Sequence, residues 1–220
     1  MKLTINTLLI AALIGACGGS NEKPSTQSET NDNAPKEKAK TVCTYSHENQ
    51  TPEVLWVAYK YTEKTGVRGQ FEEVSVTNTR SGKTVEEVLN GAEIKIKTAS
   101  SNSGDPTRDP KIKETFFQAL TNGEILSGKI TSVNGDDASG KVTAMINMNG
   151  KNHESKGSYE LKGDQLEMKF ELNVKDWSAM DALNALNEVC EDLHKGADGK
   201  SILWPDVTVF VTTMLTKDCS

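Results

Sequence analysis

Strict alternation of apolar and polar side chains is the feature that most limits how this chain folds. From Leu166 to Lys175 every second residue is apolar, and the residues between are Glu, Lys or Asn. Because successive side chains of a strand point to opposite faces of a sheet, this run predicts a strand with one buried face and one solvated face. Comparable segments bring the predicted strands to eight, at 54–62, 67–76, 93–97, 125–133, 142–148, 155–161, 166–174 and 207–215.

Turn-forming pairs separate several of these segments. Asn-Gly occurs at 90–91, 122–123, 134–135 and 149–150, and Gly163-Asp164 lies between two of the predicted strands. Such pairs accept positive φ and suit tight hairpins. Short strands joined in this way favour an antiparallel sandwich or a closed barrel, and closure removes exposed sheet edges.

Two helices are expected to interrupt the strands. The segment 178–194 has apolar residues on one stripe, with Ser178 as a candidate N-cap; the stripe comprises Ala179, Ala182, Leu183, Leu186, Val189, Cys190 and Leu193. A shorter helix is predicted from Asp109 or Pro110 to about Leu120. Neither helix alternates with strands in a βαβ order, which argues against a Rossmann-type sheet.

The N-terminus has the pattern of an export signal. Lys2 precedes an apolar run that ends in Ile14-Gly15-Ala16-Cys17. The run is too short for a stable membrane span. Its end resembles the bacterial lipobox, in which the cysteine receives a diacylglyceryl group and becomes the mature N-terminus. The resemblance implies that Cys17 is the lipid attachment site, and acyl chains anchor a protein without a membrane-crossing helix.

The residues that follow Cys17 lack the means to build a core. Residues 18–42 contain no aromatic side chain and equal numbers of acidic and basic residues, so we expect a disordered tether. The predicted organisation is therefore a signal peptide at 1–16, the lipidated cysteine and tether at 17–42, and a folded domain at 43–220. That domain carries 20 lysines and arginines against 27 acids, a formal charge of −7.

Charge and motifs exclude several functional classes. An acidic domain is poorly suited to nucleic acid, and no apolar run after the signal is long enough for a multi-span membrane protein. Residues 123–129 nearly match a phosphate-binding loop, but Ile130 stands where Ser or Thr would ligate magnesium. Cys190 and His194 could share a helix face, yet a metal site needs further ligands. We expect no catalytic site, no cofactor and no metal.

Three cysteines remain if Cys17 is acylated. Disulfides persist in exported proteins. If the first and last strands of a barrel pair antiparallel, Cys43 meets Cys219, and this bridge is favoured. A Cys190–Cys219 bridge is the main alternative.

Several segments together resemble the YceI-like family. They are Trp56 to Phe71 (WVAYKYTEKTGVRGQF), Thr107 to Phe117 (TRDPKIKETFF), Asn147 to Gly150 (NMNG), Val174 to Trp177 (VKDW) and Trp204 to Val207 (WPDV). The resemblance implies an eight-stranded antiparallel lipocalin-like barrel. It also implies an apolar interior that holds a long amphiphile, typically an isoprenoid quinone or a polyprenyl phosphate.

The predicted helix at 178–195 departs from the family pattern. An added helix rich in Ala and Leu could either pack against the mouth of the barrel or fill its cavity. The sequence leaves both arrangements open.

The candidate cavity residues are the large apolar side chains on the inward faces, joined by one cation. They are Val67, Phe71, Ile94, Ile96, Arg108, Phe116, Phe117, Ile146, Met148, Met168, Phe170, Leu172, Val209 and Val211. Flexible methionines and an apolar lining suit a polyisoprenoid tail. Arg108 either forms an ion pair with Asp109 or holds an anionic head group at the barrel mouth.

The sequence therefore predicts a lipid-anchored protein of the bacterial cell envelope, with its anchor in a membrane, most simply the outer membrane. Its domain would face the periplasm or the cell surface and bind an isoprenoid-type lipid for sequestration or transport. The alternative is an envelope interaction or stress-response scaffold whose barrel is filled and takes no small molecule.

Overall fold

The computed structural model describes residues 42–48 and 50–220 of the chain. The predicted signal peptide, Cys17 and nearly all of the predicted tether lie outside the described residues. The strands are β1 (Cys43–Ser46), β2 (Glu53–Lys60), β3 (Thr65–Phe71), β4 (Val74–Thr77), β5 (Glu93–Lys97), β6 (Ser101–Asn102), β7 (Ile125–Gly135), β8 (Ser139–Met148), β9 (Lys151–Lys162), β10 (Gln165–Asn173), β11 (Leu203–Met214) and β12 (Thr216–Cys219). The α-helices are α1 (Val85–Leu89), α2 (Asp109–Lys111), α3 (Met180–Val189) and α4 (Glu191–His194).

Ten of the strands form one antiparallel sheet that curls on itself. Their order is β4-β5-β7-β8-β9-β10-β11-β2-β3-β6, so β4 lies at one end of the sheet and β3 at the other, followed only by the two-residue β6. Yet only Glu72 and Glu73 separate these two strands along the chain. The covalent chain therefore brings the two ends of the sheet together, and the predicted fold class, a mainly β lipocalin-like barrel, is confirmed.

The corner at Glu72 and Glu73 is fixed by hydrogen bonds. The Glu72 N–H donates to the Ser100 carbonyl at 3.2 Å, and the Glu73 N–H donates to the Ser100 hydroxyl at 3.0 Å. The Lys97 N–H donates to the Glu73 carbonyl at 3.0 Å. The single strand predicted at 67–76 is thus two strands with a bend between them. If β3 and β4 are counted as one strand and the two-residue β6 is left out, the sheet has the eight strands that were predicted.

Strand β10 shows how the alternation builds the interior. Leu166, Met168 and Phe170 are buried, whereas Glu167 and Glu171 between them are exposed. The same alternation on neighbouring strands turns one apolar face of every strand inward. The last residue of the predicted strand, Val174, instead begins a 3₁₀ turn, Val174–Trp177.

Two of the five predicted turn pairs form tight hairpins. Asn149 and Gly150, with φ of 53° and 67°, connect β8 to β9, and Gly163 with Asp164 connects β9 to β10. Positive φ at both central residues is what a type I′ turn requires. The other three pairs are not hairpin turns. For example, Asn90 caps the end of α1.

The chain termini of the domain are joined by the disulfide Cys43–Cys219, the favoured pairing. Strand β1 pairs antiparallel with β12, and the two cysteines lie opposite each other in that register. Tyr45 of β1 is buried and exchanges two backbone hydrogen bonds with Gly82. Cys190 is buried and free, so the alternative bridge does not form.

The predicted helix at 178–194 is shorter and interrupted. Ser178 has a left-handed φ of 55° and follows the 3₁₀ turn, so it is not the N-cap; the α-helix begins at Met180. The helix breaks at Cys190, and Val189 and Leu193 on either side of the break are 57% and 52% exposed. The predicted stripe is therefore not buried continuously at its C-terminal end.

The second predicted helix is also irregular. It consists of α2 followed by a π-helical segment, Ile112–Phe117, and it ends before Leu120. Within the described part of the chain, no helix has both the length and the apolar character needed to cross a membrane.

Removing the disulfide with the double variant Cys43→Ser/Cys219→Ser should lower the free energy of unfolding. The bond spans 176 residues, and constraining so long a loop in the unfolded chain is worth up to about 5 kcal/mol. Urea unfolding measures the loss. A reductant should destabilise the wild type and leave the double variant unchanged, and equal sensitivity of the two would contradict the assignment.

Candidate functional site

A cavity of about 160 Å³ lies inside the curled sheet, and its lining is almost wholly apolar. It contacts inward residues from β2, β3, β5, β7, β8, β10 and β11. Nine of the fourteen candidate residues line it: Phe71, Ile94, Ile96, Ile146, Met168, Phe170, Leu172, Val209 and Val211. The period-two pattern thus led to most of the lining on these strands.

Further lining residues were not among the candidates. Val54, Val76, Leu126, Ile130 and Ala144 also border the cavity. All five belong to segments predicted as strands, so the alternation of apolar and polar residues could have identified them as inward-facing. Ile146, Leu172 and Val211 pack against both hydrophobic clusters of the protein, which places the cavity between the two clusters.

A few polar groups border this cavity. The His47 imidazole and the Thr213 hydroxyl form a hydrogen bond of 2.8 Å, and burial lowers the pKa of His47. Glu93 and Lys129 form an ion pair of 3.0 Å, and the hydrogen bond from Lys129 lowers the pKa of the Glu93 carboxyl. Each of these groups is already paired, so the unpaired lining offered to a ligand is apolar.

Three candidate residues lie outside both this cavity and the second pocket described below. Phe116, Phe117 and Met148 belong to the hydrophobic cluster built around Trp177. The Phe117 ring packs against Phe116 with 5.2 Å between ring centroids and against Phe71 with 5.9 Å. These side chains are core packing and do not line the cavity.

A second pocket, of about 150 Å³, lies toward the other end of β2 and β3. We call it the cationic pocket, because Lys60, Arg108 and Lys111 line it beside His194. The two remaining candidates, Val67 and Arg108, are here and not in the apolar cavity.

The ion pair of Arg108 differs from the one expected. Its guanidinium Nη2 lies 3.2 Å from a carboxylate oxygen of Asp105, whereas the Asp109 carboxylate accepts a 2.8 Å hydrogen bond from the Ser103 N–H. Hydrogen bonds from Thr107 and from the Arg108 N–H, together with the Arg108 charge, lower the pKa of Asp105. The expected pair with Asp109 is therefore wrong, because the loop folds the Asp105 side chain back on Arg108.

Trp56 lies between the two spaces on the inward face of β2. Two residues before it on the same face, Val54 borders the apolar cavity. Two residues after it, Ala58 borders the cationic pocket. Trp56 itself borders the cationic pocket and is 8% exposed. Its ring packs over Gly69 of β3, where any Cβ would collide with the indole. Gly69 thus makes room for the side chain that divides the interior.

These features agree with comparisons to known proteins. The family of YceI-like domains matches residues 45–209. The chain belongs to the YceI-like family.

Solved structures resemble this YceI-like domain at low sequence identity. A structure described as a polyisoprenoid binding domain from Saccharophagus degradans is 14% identical, covers 79% of this chain and 98% of its own, and superposes with a TM-score of 0.55. BcnA from Burkholderia cenocepacia is 12% identical, with 75% and 96% coverage and a TM-score of 0.50. The YceI protein of Campylobacter jejuni is 15% identical, with 73% and 89% coverage and a TM-score of 0.46. No protein of curated function matches the sequence.

The helices α3 and α4 cover one end of this YceI-like domain and do not fill its interior. Leu186, Cys190, Leu193 and His194 line the cationic pocket, and no residue of these helices lines the apolar cavity. Of the two arrangements that the sequence left open, the structure has the helix against the mouth. Among the described residues, no cluster of His, Cys, Asp or Glu is arranged to hold a metal ion.

His194 should make the stability of the YceI-like domain depend on pH. Burial and the nearby charges of Lys60, Lys111 and Arg108 lower the pKa of His194 from its usual 6.5 to about 4. Between these values the unfolded chain binds a proton at His194 that the folded domain does not bind. The stabilisation by neutral His194 is therefore complete above pH 6.5 and is lost as the pH falls to about 4.

The variant His194→Gln removes this titration while keeping a polar side chain beside Asn187. The free energy of unfolding of the wild type, minus that of the variant, should decrease as the pH falls from 6.5 to about 4. Urea unfolding at several pH values measures the difference, in which the contribution of His47 cancels. A difference that stays constant with pH would contradict the assignment.

Proposed function

We propose that this protein binds a slender lipid chain of the isoprenoid type in the apolar cavity of its barrel, for sequestration or transport. The observation that carries the proposal is a space inside the curled sheet whose unpaired lining is apolar and which no residue of the added helices lines. Membership of the YceI-like family and the likeness to a domain described as polyisoprenoid-binding support it.

The chemistry of the lining favours such a tail. Burial of each methylene group contributes about 0.8 kcal/mol, so even two isoprene units would be held by several kcal/mol. A barrel of eight strands is wide enough for one slender ligand. Met168 borders the cavity, and its flexible side chain can adapt to a branched chain.

The size of the cavity sets how much of the ligand fits without rearrangement. A cavity of about 150 Å³ admits one benzene-sized molecule. The 160 Å³ cavity therefore holds about one isoprene unit as it stands, and a longer tail must move side chains at its ends.

We further propose that the protein is held at a bacterial membrane, most simply the outer membrane, through lipid on Cys17. Support comes from the lipobox-like Ile14-Gly15-Ala16-Cys17 after the apolar run and from the polar residues that follow. A tether of this kind leaves the barrel free to meet a ligand at the membrane surface, either in the periplasm or outside the cell.

Filling the apolar cavity should abolish lipid binding. Val209 lines the cavity, so Val209→Trp places a large ring where the tail would lie. The matched control is Phe210→Trp, because Phe210 is the next residue on β11 and faces the other side of the sheet. Full-length protein is purified from bacterial membranes in detergent, and its organic extract is analysed by mass spectrometry.

We expect the wild type and the control to carry an isoprenoid-type lipid, and Val209→Trp to carry at least roughly tenfold less, which corresponds to about 1.4 kcal/mol. Absence of any such lipid from the wild type, or equal amounts in all three proteins, would overturn the proposal. Circular dichroism checks that the three proteins are folded.

The variant Cys17→Ser should release the protein from the membrane, since it removes the sulfur that carries the lipid. Growth with a radiolabelled fatty acid should label the wild type and not the variant, and fractionation should move the variant to the soluble fraction. The variant Cys190→Ser serves as control and should be labelled like the wild type. Labelling of Cys17→Ser would refute the assignment.

A further inference from the structure

The cationic pocket stands out in an acidic protein. Its lining contributes three basic side chains, from Lys60, Arg108 and Lys111, against one carboxylate, from Asp105. The whole chain by contrast carries a formal charge of −6. A local excess of positive charge therefore lies at one end of the barrel, on the opposite side of Trp56 from the apolar cavity.

The three basic groups differ in how they are paired. Arg108 faces Asp105 at 3.2 Å, and Lys60 donates a 2.9 Å hydrogen bond to the Leu193 carbonyl of α4. Among the described residues, no carboxylate lies within 4.0 Å of the Lys111 or Lys60 ammonium group. Two of the three charges therefore lack a counter-ion in the pocket.

The excess of positive charge also acts on His194. Its Nδ1 lies 2.9 Å from the Asn187 side-chain oxygen, and it lines the same pocket as the three basic groups. Burial and these charges lower the pKa of the His194 imidazole to about 4. The pocket thus disfavours a further positive charge.

Trp56, which borders the pocket, also carries a polar atom without a partner. Its indole N–H is buried and makes no hydrogen bond within the described structure. Buried donors are nearly always paired, because a lost hydrogen bond costs free energy. A Trp N–H donates only, so the group that would satisfy it is an acceptor.

We propose that the cationic pocket binds a phosphate-like oxyanion. Phosphate oxygens accept from Arg and Lys with short, charge-assisted hydrogen bonds. The pocket volume of about 150 Å³ accommodates such a group. A neutral head group such as a quinone or an alcohol would leave the excess charge uncompensated.

The anion has two possible sources, the head group of a prenyl phosphate or free inorganic phosphate. The head-group source rests on the function proposed above, with the tail in the apolar cavity and the head in the cationic pocket. Because Trp56 separates the two spaces, an amphiphile that fills both displaces its ring. Free phosphate would bind in the pocket alone.

The test compares farnesyl monophosphate with farnesol, which has the same tail and a neutral head. Isothermal titration calorimetry of full-length protein in detergent measures both affinities. The variants are Lys111→Gln, which removes an uncompensated charge, and Lys111→Arg, which keeps it. The matched control is Lys169→Gln, since Lys169 lies on β10 outside the barrel and pairs with Glu171.

We expect the wild type to bind the phosphate at least about tenfold more tightly than the alcohol, as a charge-assisted hydrogen bond provides. Lys111→Gln should remove most of that preference and leave farnesol binding unchanged. Lys111→Arg and Lys169→Gln should keep it. Equal wild-type affinities for the two probes, or equal losses for both probes in Lys111→Gln, would overturn the anion site while the lipid-binding function stands.

Titration with inorganic phosphate separates the two proposals. NMR of the His194 ring detects the anion directly, because a bound negative charge raises the pKa of that imidazole. If phosphate shifts this signal in the wild type and not in Lys111→Gln, while neither farnesyl probe binds, the anion site stands and the lipid-binding function falls. Absence of binding by all three probes would overturn both.

Discussion

The bend at Glu72–Glu73 is the constraint on which the interior of this protein depends. Strand β4 lies at one end of the sheet, and β3 lies at the other, followed only by the two-residue β6. The two-residue link between β3 and β4 therefore obliges the sheet to turn back on itself. Ser100 and Lys97 hold the link through backbone and side-chain hydrogen bonds. As a result, the apolar faces of all the long strands meet in one space and bury one another.

Trp56 divides that space, and it can do so because the residue opposite it on β3 is a glycine. Trp56 lies opposite Gly69, and the indole occupies the volume that any side chain at Gly69 would take. On one side of the ring the lining is aliphatic and aromatic. On the other side three basic side chains join a mainly apolar lining, and residues of α3 and α4 cover it. An interior with one apolar compartment and one charged compartment matches the chemistry of an amphiphile.

The alternation of the sequence was enough to predict the fold class and most of the inward residues. It could not tell a residue that borders a cavity from one that is packed solid. Phe117 and Met148 face inward and yet line neither space, because Trp177 and its neighbours fill the volume beside them. The pairing of Arg108 with Asp105 was missed for a related reason: a loop side chain takes the partner that the local turn brings close.

The helix near the C-terminus shows the limit of a local pattern. The spacing of apolar residues in 178–194 fits one continuous helix, but the left-handed Ser178 and the break at Cys190 shorten it. Asn149 stabilises this start from another part of the chain, since its amide donates to the carbonyls of Trp177 and Ser178. Such a contact overrides the propensity of the segment itself.

By itself, the sequence determined which side of each strand faces inward and where the tight hairpins at Asn149 and Gly163 form. These properties depend on residues adjacent in the chain, whose geometry is fixed by the backbone. Only the tertiary structure decided that two compartments exist, that Lys60, Arg108 and Lys111 converge, and that His194 lies among them. Those properties depend on distances between segments far apart in the chain, which no periodic pattern encodes.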